Sequence, residues 1–265
     1  MKIEFYKYQG TGNDFVIIDN RDGKFDSKNY TLVSFLCDRR MGIGADGLML
    51  LENHHSPDID FTMRYYNSDG KEASMCGNGG RCIAAFAVHQ KAVQNSAEFS
   101  FEAVDGLHIA KYDNGIVSLK MSEVDHIELG DNYYFLDTGS PHYIAHKQNI
   151  DDVDIVKYGS EIRYSDQFKP GGTNVNIVEE LSDNHLKVRT YERGVEDETY
   201  SCGTGVVASA ISTFVKNNKS SSFNIDVKGG KLKVNFEGNK HDGFKNIWLI
   251  GPATFVFYGA IEVTL

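Results

Sequence analysis

Cysteine is scarce in this chain: four (Cys37, Cys76, Cys82 and Cys202) in 265 residues. Neither a Cys-x2-Cys nor a His-x3-His pair points to a structural zinc site, and so few cysteines in so long a chain argue against a disulfide framework and for reduced thiols. Long hydrophobic runs are missing too. No apolar stretch reaches the ~18 residues of a membrane helix, and the amino terminus, Met1-Lys2-Ile3-Glu4-Phe5-Tyr6, has no signal-peptide core. A cytoplasmic protein without membrane contact is expected. Basic residues are outnumbered, 27 against 37 acidic for a net charge of −10, and form no stripe, which excludes a phosphate-tracking nucleic-acid surface. No segment is of low complexity, and no linker stands out by composition. The balance of 41% apolar and 24% charged residues is that of an ordinary globular protein.

Against that background two stretches stand out, Met75-Cys76-Gly77-Asn78-Gly79-Gly80-Arg81 and Ser201-Cys202-Gly203-Thr204-Gly205. Each has a cysteine followed by Gly-x-Gly and then an apolar, alanine-containing run, and the two lie about half the chain length apart. That spacing suggests two copies of one supersecondary unit. The helix after the first is apolar nearly all round and should be buried inside its half.

Alternation predicts strands at Ile3–Tyr8 and Val16–Asp19, with Asn13 on a tight glycine connection between them. A helix is expected over Thr31–Arg39, then strands at Leu48–Glu52 and Asp60–Asn67, the first glycine loop and its helix to about Gln90, and strand pieces from Ala97 to Met121. A second series follows: strands near Tyr133–Leu136, Tyr143–Ala145, Thr173–Glu179 and Leu186–Tyr191, the second glycine loop and its helix to about Lys216. Strands at Phe223–Val227, Lys231–Phe236, Asn246–Ile250, Ala253–Tyr258 and Ala260–Leu265 close the chain. Gly42-Ile43-Gly44-Ala45-Asp46-Gly47 matches the dinucleotide fingerprint in letters, but a helix precedes it and a strand follows, the reverse of what pyrophosphate binding needs. Neither cysteine loop carries the Lys-Ser/Thr that completes a P-loop.

A helix amino terminus offers N–H groups and a positive dipole end, favouring anions and a thiolate. Two such termini aimed at one point would bind a carboxylate with a cysteine on either side. Removing the α-proton of an amino acid moves negative charge into its carboxylate, which preorganised N–H donors stabilise. A thiolate base on one face and a thiol acid on the other could then invert the stereocentre. Cys37 and Cys82, in apolar settings, read instead as small buried hydrophobes.

Gly10-Thr11-Gly12-Asn13-Asp14-Phe15, Cys76 to Cys82, Thr173-Asn174-Val175-Asn176, Glu192-Arg193-Gly194 and Cys202-Gly203-Thr204-Gly205 occur together in the order of one family, and over essentially its whole length the chain resembles the diaminopimelate epimerases. The resemblance implies an α/β (α+β) fold of two pseudo-symmetric halves, each a mixed strand barrel around a central buried helix. Residues 1–118 plus 254–265 would carry Cys76 and residues 119–253 Cys202, with the last strand returning to the first half and the active site in the cleft between. It implies an isomerase that interconverts LL- and meso-2,6-diaminopimelate, in lysine and peptidoglycan precursor biosynthesis, with no cofactor and no metal. Cys76 and Cys202 match the catalytic bases, and Gly77, Asn78, Gly203 and Thr204 the N–H donors to the reacting carboxylate. Asn13, Asn67, Asn174 and Arg193 match residues that hold the distal centre, where an arginine can fork onto a carboxylate and amides can check its neighbours. His142 and Glu192 match groups near the thiols that tune their ionisation, Glu192 also lying against substrate. Ser140 departs from the pattern, since an Asn usually precedes the Pro-His pair.

Two other readings stay open on the residues alone. A two-cysteine racemase of the proline racemase type would have no use for Arg193 as a distal clamp, and a non-catalytic binding or thiol-redox protein would leave the α-hydrogen in place. A homodimer through an edge strand is also open.

Overall fold

Alternating burial makes a strand of β1 (Lys2–Gly10). The pair Thr11-Gly12, with φ of 49° and 87°, turns it at once into β2 (Asn13–Asp19). Two-residue turns of this hand match the natural twist of the strands they join. A crossover helix, α1 (Tyr30–Cys37), capped by the Asn29 side chain on the Leu32 N–H, leads to β3 (Gly47–Glu52), parallel to β2, and β4 (Phe61–Asn67) returns antiparallel to it. The helix α2 (Gly77–His89) connects to β5 (Phe99–Ala103), parallel to β4, and β6 (Gly106–Asp113) and β7 (Ile116–Lys120) complete an antiparallel meander.

The second series repeats the plan. After the short β8 (Glu128–Leu129) come β9 (Tyr134–Asp137), β10 (Pro141–His146), the helix α3 (Ile155–Arg163), β11 (Asn174–Ser182), β12 (His185–Glu192) and the short β13 (Asp197–Thr199). Then follow α4 (Gly203–Asn217), β14 (Ser222–Val227), β15 (Gly230–Asn239) and β16 (Gly243–Pro252). The β1-to-β7 order of antiparallel, parallel, antiparallel, parallel, antiparallel and antiparallel pairings recurs along β9, β10, β11, β12, β14, β15 and β16. Finally β17 (Thr254–Glu262) pairs antiparallel with β1.

The computed structural model describes residues 1–263 and resolves into two units, Met1–Leu119 with the chain from Pro252 on, and Lys120–Gly251. In the first, α2 is buried from Gly77 to Ala87 and packs on β1, β2, β3 and β6, while α1 covers the other face of β3. Strands with a helix on each face must be apolar on both, which is why Val16, Ile17, Leu48, Met49, Leu50 and Leu51 form continuous buried runs. In the second, α4 is the central helix, packed on β9 to β12, β14 and β15, and α3 lies against β11 and β12 over Ile155, Val175, Ile177 and Tyr191. The two-half mixed α/β architecture expected from the sequence is present, with three corrections. Gly77, Asn78 and Gly79 form the first turn of α2 rather than a loop before it, and Gly203 likewise opens α4. The helix α3 was not foreseen: Ile155-Val156-Lys157-Tyr158-Gly159 mixes β-branched and glycine residues, yet Asp154 caps it on the Lys157 N–H and Gly159 lets it close on the Tyr191 side chain. The two closing segments are one strand, because Gly259 is not a break; it pairs with Phe5 and makes room for that ring. Leu265, the end of the expected last strand, lies outside the described residues.

Candidate active site

The repeated pairing puts the expected site residues at matching places. In the first unit Phe15 pairs with Gly47 and Gly47 with Asn67. In the second His142 pairs with Asn174, and Val175 pairs with Tyr191, the neighbour of Glu192. Asn13 and Ser140, Gly47 and Asn174, and Asn67 and Glu192 therefore occupy equivalent positions, each set followed by a cysteine that opens the central helix.

Cys76 is the N-cap of α2 and half-buried, and its sulfur accepts the Gly79 N–H at 3.2 Å. An N-cap side chain satisfies one of the first-turn donors that the helix cannot use. Space at this turn is tight, since a Cβ on Gly79 would lie 3.3 Å from the Cys76 sulfur. The Asn13 Oδ1 lies 3.9 Å from that sulfur and accepts from Asn78 Nδ2 at 3.3 Å. Both amides are held in one sense: Asn13 Nδ2 donates to Asp46 at 2.6 Å, and Asn78 Oδ1 accepts from Arg81 at 3.0 Å. Asp46 in turn accepts from Arg39, which also grips Asp14, and Lys7 sits 2.7 Å from Asp14. Burial pushes the Asp14 carboxyl up, but the Arg39 and Lys7 hydrogen bonds outweigh it and hold the group near a pKa of about 2. Arg81 is completely buried, bonded to Thr11 Oγ1 and the Gly77 and Pro252 carbonyls, and burial lowers its pKa to about 10. Asn67 is exposed at the end of β4, where its backbone closes the turn through Gly70.

Cys202 is the N-cap residue of α4, but its sulfur does not cap the helix; it lies 3.4 Å from Thr204 Oγ1. Thr204 Oγ1 is 2.9 Å from His142 Nε2 and 3.2 Å from Ser140 Oγ. His142 is fully buried, and burial, helped by the nearby Arg193 charge, lowers its pKa to about 3, so it is neutral. Asn174 donates to Ser140 Oγ and the Pro141 carbonyl and accepts the Arg193 backbone N–H at 2.9 Å. The half-buried Arg193 side chain donates to the Gly171 and Gly172 carbonyls, and Glu192 ends β12 beside it. Cys37 and Cys82 are buried; burial raises the Cys37 thiol to about 12 and pushes the Cys82 thiol up as well.

The first unit thus collects Asn13, Cys76, Gly77 and Asn78 around one helix start, and the second collects His142, Asn174, Arg193, Cys202, Gly203 and Thr204 around the other. Sequence reading missed Asp46, Arg81, Asn176 and Thr190. Arg81 and Asn176 stood inside quoted motifs, and Asp46 inside the rejected dinucleotide hexapeptide; Asp46 and Asn176 meet the site residues they orient from more than thirty positions away, and Arg81 joins the nearby Asn78 to the distant Thr11. His142 and His146 do have the His-x3-His spacing passed over above. They are engaged separately, His146 with Ser212, and no group of three His, Cys, Asp or Glu among the described residues could hold a metal ion. No helix among the described residues is long and apolar enough to cross a membrane.

The family model for diaminopimelate epimerase matches residues 5–127 and again 134–256, once per repeat. A diaminopimelate epimerase of Flavobacterium psychrophilum is 50% identical over 257 residues, covering 96% of this chain and 98% of the relative. One from Chlorobaculum tepidum is 42% identical over 96% of this chain and 99% of the relative. Among solved structures, a phenazine biosynthesis protein of the PhzF family from Bacillus anthracis superimposes with a TM-score of 0.77 at 12% identity, covering 99% of this chain and all of that one. A probable proline racemase from Agrobacterium radiobacter does so with a TM-score of 0.69 at 16% identity, covering 99% of this chain and 93% of that one. Likeness at that level of identity speaks for the fold alone.

Proposed function

This chain belongs to the diaminopimelate epimerase family, and on that footing we propose that Cys76 and Cys202 are the acid–base pair of a cofactor-independent epimerase that interconverts LL- and meso-2,6-diaminopimelate. The observation that carries the reading is the duplication itself: each copy of one strand order delivers a cysteine to the N-cap of its buried central helix. One thiolate takes the α-proton, and the other thiol returns a proton from the opposite face. The roles exchange with the direction of the reaction. As the proton leaves, charge grows on the α-carboxylate, and the first-turn N–H groups of Gly77, Asn78, Gly203 and Thr204 stabilise it without reorganising. Asn13, Asn67, Asn174 and Arg193 hold the distal amino acid centre, while His142 and Glu192 stand near the thiols and tune their ionisation, Glu192 also lying against substrate. The half-buried Arg193 guanidinium, anchored on two carbonyls, suits a carboxylate there. That distal clamp favours diaminopimelate over a monocarboxylate substrate of the proline racemase type. The reaction serves lysine and peptidoglycan precursor synthesis, in the cytoplasm, where thiols stay reduced.

The test is loss of the α-hydrogen signal from LL-diaminopimelate in heavy water, followed by proton NMR together with formation of the meso isomer. Wild type should exchange and epimerise, and Cys76→Ala and Cys202→Ala should each lose epimerisation by at least about 1,000-fold. Full epimerisation by either variant ends the two-thiol reading. A homodimer is the assembly we infer, supported by β17, whose consecutive Phe255, Val256, Phe257 and Tyr258 are 44 to 74% exposed. Sedimentation velocity should find a dimer that Val256→Asp splits; a wild-type monomer removes the inference.

A further inference from the structure

The hydrogen bonds behind Cys202 can be given a direction atom by atom. Asn176 is fully buried; its Nδ2 lies 3.0 Å from His142 Nδ1 and 3.2 Å from the Tyr143 carbonyl, and its Oδ1 accepts from Thr190 Oγ1 at 2.8 Å. A carbonyl can only accept, so the atom facing Tyr143 is the NH2 group, and that same group donates to His142 Nδ1. His142 therefore carries its one proton on Nε2, where it stands between Thr204 Oγ1 at 2.9 Å and Ser140 Oγ at 3.0 Å, the Thr204 bond being the shorter. Asn174 is fixed the same way, its Oδ1 on the Arg193 N–H and its Nδ2 on the Pro141 carbonyl, and it donates to Ser140 Oγ at 3.2 Å. Because His142 Nε2 is already a donor, the Ser140 hydroxyl turns to Thr204 Oγ1 at 3.2 Å. Thr204 then accepts twice, and its own proton is left to the Cys202 sulfur at 3.4 Å.

We propose that Asn176 is a positioning residue for proton transfer at Cys202: by donating to His142 Nδ1 it fixes the ring tautomer, and with Ser140 this commits the Thr204 hydroxyl to donate to the Cys202 sulfur. The donor stabilises the thiolate that takes the substrate proton and keeps the sulfur aimed while it does so. Gly205 is part of the device, since a Cβ there would stand 2.3 Å from Asn176 Oδ1. Ser140, the position at which the sequence departs from the family pattern, supplies one of the two donors that turn Thr204. The inference rests on Cys202 being one of the two proton-transfer thiols.

The direct test is long-range proton–nitrogen NMR of the histidine rings, with His142 assigned from the signals lost in His142→Gln. A neutral ring protonated on Nε2 is expected; a ring protonated on Nδ1 overturns the proposal. Asn176→Asp keeps the shape and puts an acceptor in place of the donor. It should move the His142 proton to Nδ1 and lower kcat on the order of 100-fold with KM little changed. It should also slow iodoacetamide alkylation of Cys202, read by mass spectrometry, relative to Cys76 in the same molecule. A moved proton with unchanged kcat, or both thiols slowed alike, overturns it. Thr204→Val should reproduce the loss at Cys202 and Thr204→Ser should spare it; equal loss in both counts against a role for the hydroxyl. The tautomer and alkylation readings need no substrate, so they stand or fall apart from diaminopimelate turnover.

Discussion

Behind Cys76 the support is an ionic cluster partly open to solvent, whereas behind Cys202 it is neutral and largely buried. In the first unit Asn13 is oriented by Asp46, which is held by Arg39 within the cluster that includes Asp14 and Lys7. In the second the corresponding position, Ser140, belongs to a chain of amides, hydroxyls and one imidazole, with His142, Asn174 and Asn176 all buried. The same strand order thus fixes where a polar group stands, while the local residues decide how its direction is enforced. Charges do so by attraction that survives partial exposure. Neutral groups need burial and a partner for every donor, because an unsatisfied one costs about 1–3 kcal/mol.

The comparison can be broken hardest with glycine. Gly205→Ala drives a Cβ to 2.3 Å from Asn176 Oδ1, and Gly79→Ala brings one only to 3.3 Å from the Cys76 sulfur. The first should cost about 1–3 kcal/mol through overpacking, with a fall in kcat. The second should be close to neutral in stability, because the strain is offset by the roughly 0.5–1 kcal/mol that alanine gains over glycine inside a helix. Urea unfolding midpoints check both, and equal losses would erase the distinction between a largely buried and a partly open support.

Acid should separate the halves more gently. His142 and His146 have pKa values lowered by burial to about 3 and about 4 from the usual 6.5, so the unfolded chain binds their protons first. Their contribution is complete above pH 6.5 and is lost as pH falls toward those values, at about 1.4 kcal/mol per pH unit for the fully buried His142 and less for the partly exposed His146. Asp14, depressed from 3.8 to about 2, keeps its contribution until pH falls below 3.8. Amide hydrogen exchange across pH 6.5 to 4 should therefore show α4 losing protection before α2; the reverse order would contradict this assignment of the buried charges.

Much of the fold was legible. Alternation located most strands, because a half-buried strand must alternate, and the continuous runs at Val16–Ile18 and Leu48–Leu51 were strands with a helix on each face. The helix α3 was hidden because Ile155, Val156 and Gly159 are poor helix formers taken alone, and its stability comes from packing on Val175, Ile177 and Tyr191. At the site, the cysteines, glycines and first-turn residues could be read as a motif because a helix start uses consecutive residues. The residues that orient them could not. Asp46 lies 33 positions from Asn13, and Asn176 lies 34 from His142.

The sequence by itself determined the duplication, the two helix starts and the cysteine at each of them, since each depends on side chains a few residues apart whose geometry follows from backbone rules. Only the tertiary structure decided which way the amides, the imidazole and the hydroxyls point. A hydrogen bond has a direction, and that direction is set by what stands on the far side of each group, here a carboxylate in one unit and a carbonyl in the other, both brought from distant parts of the chain.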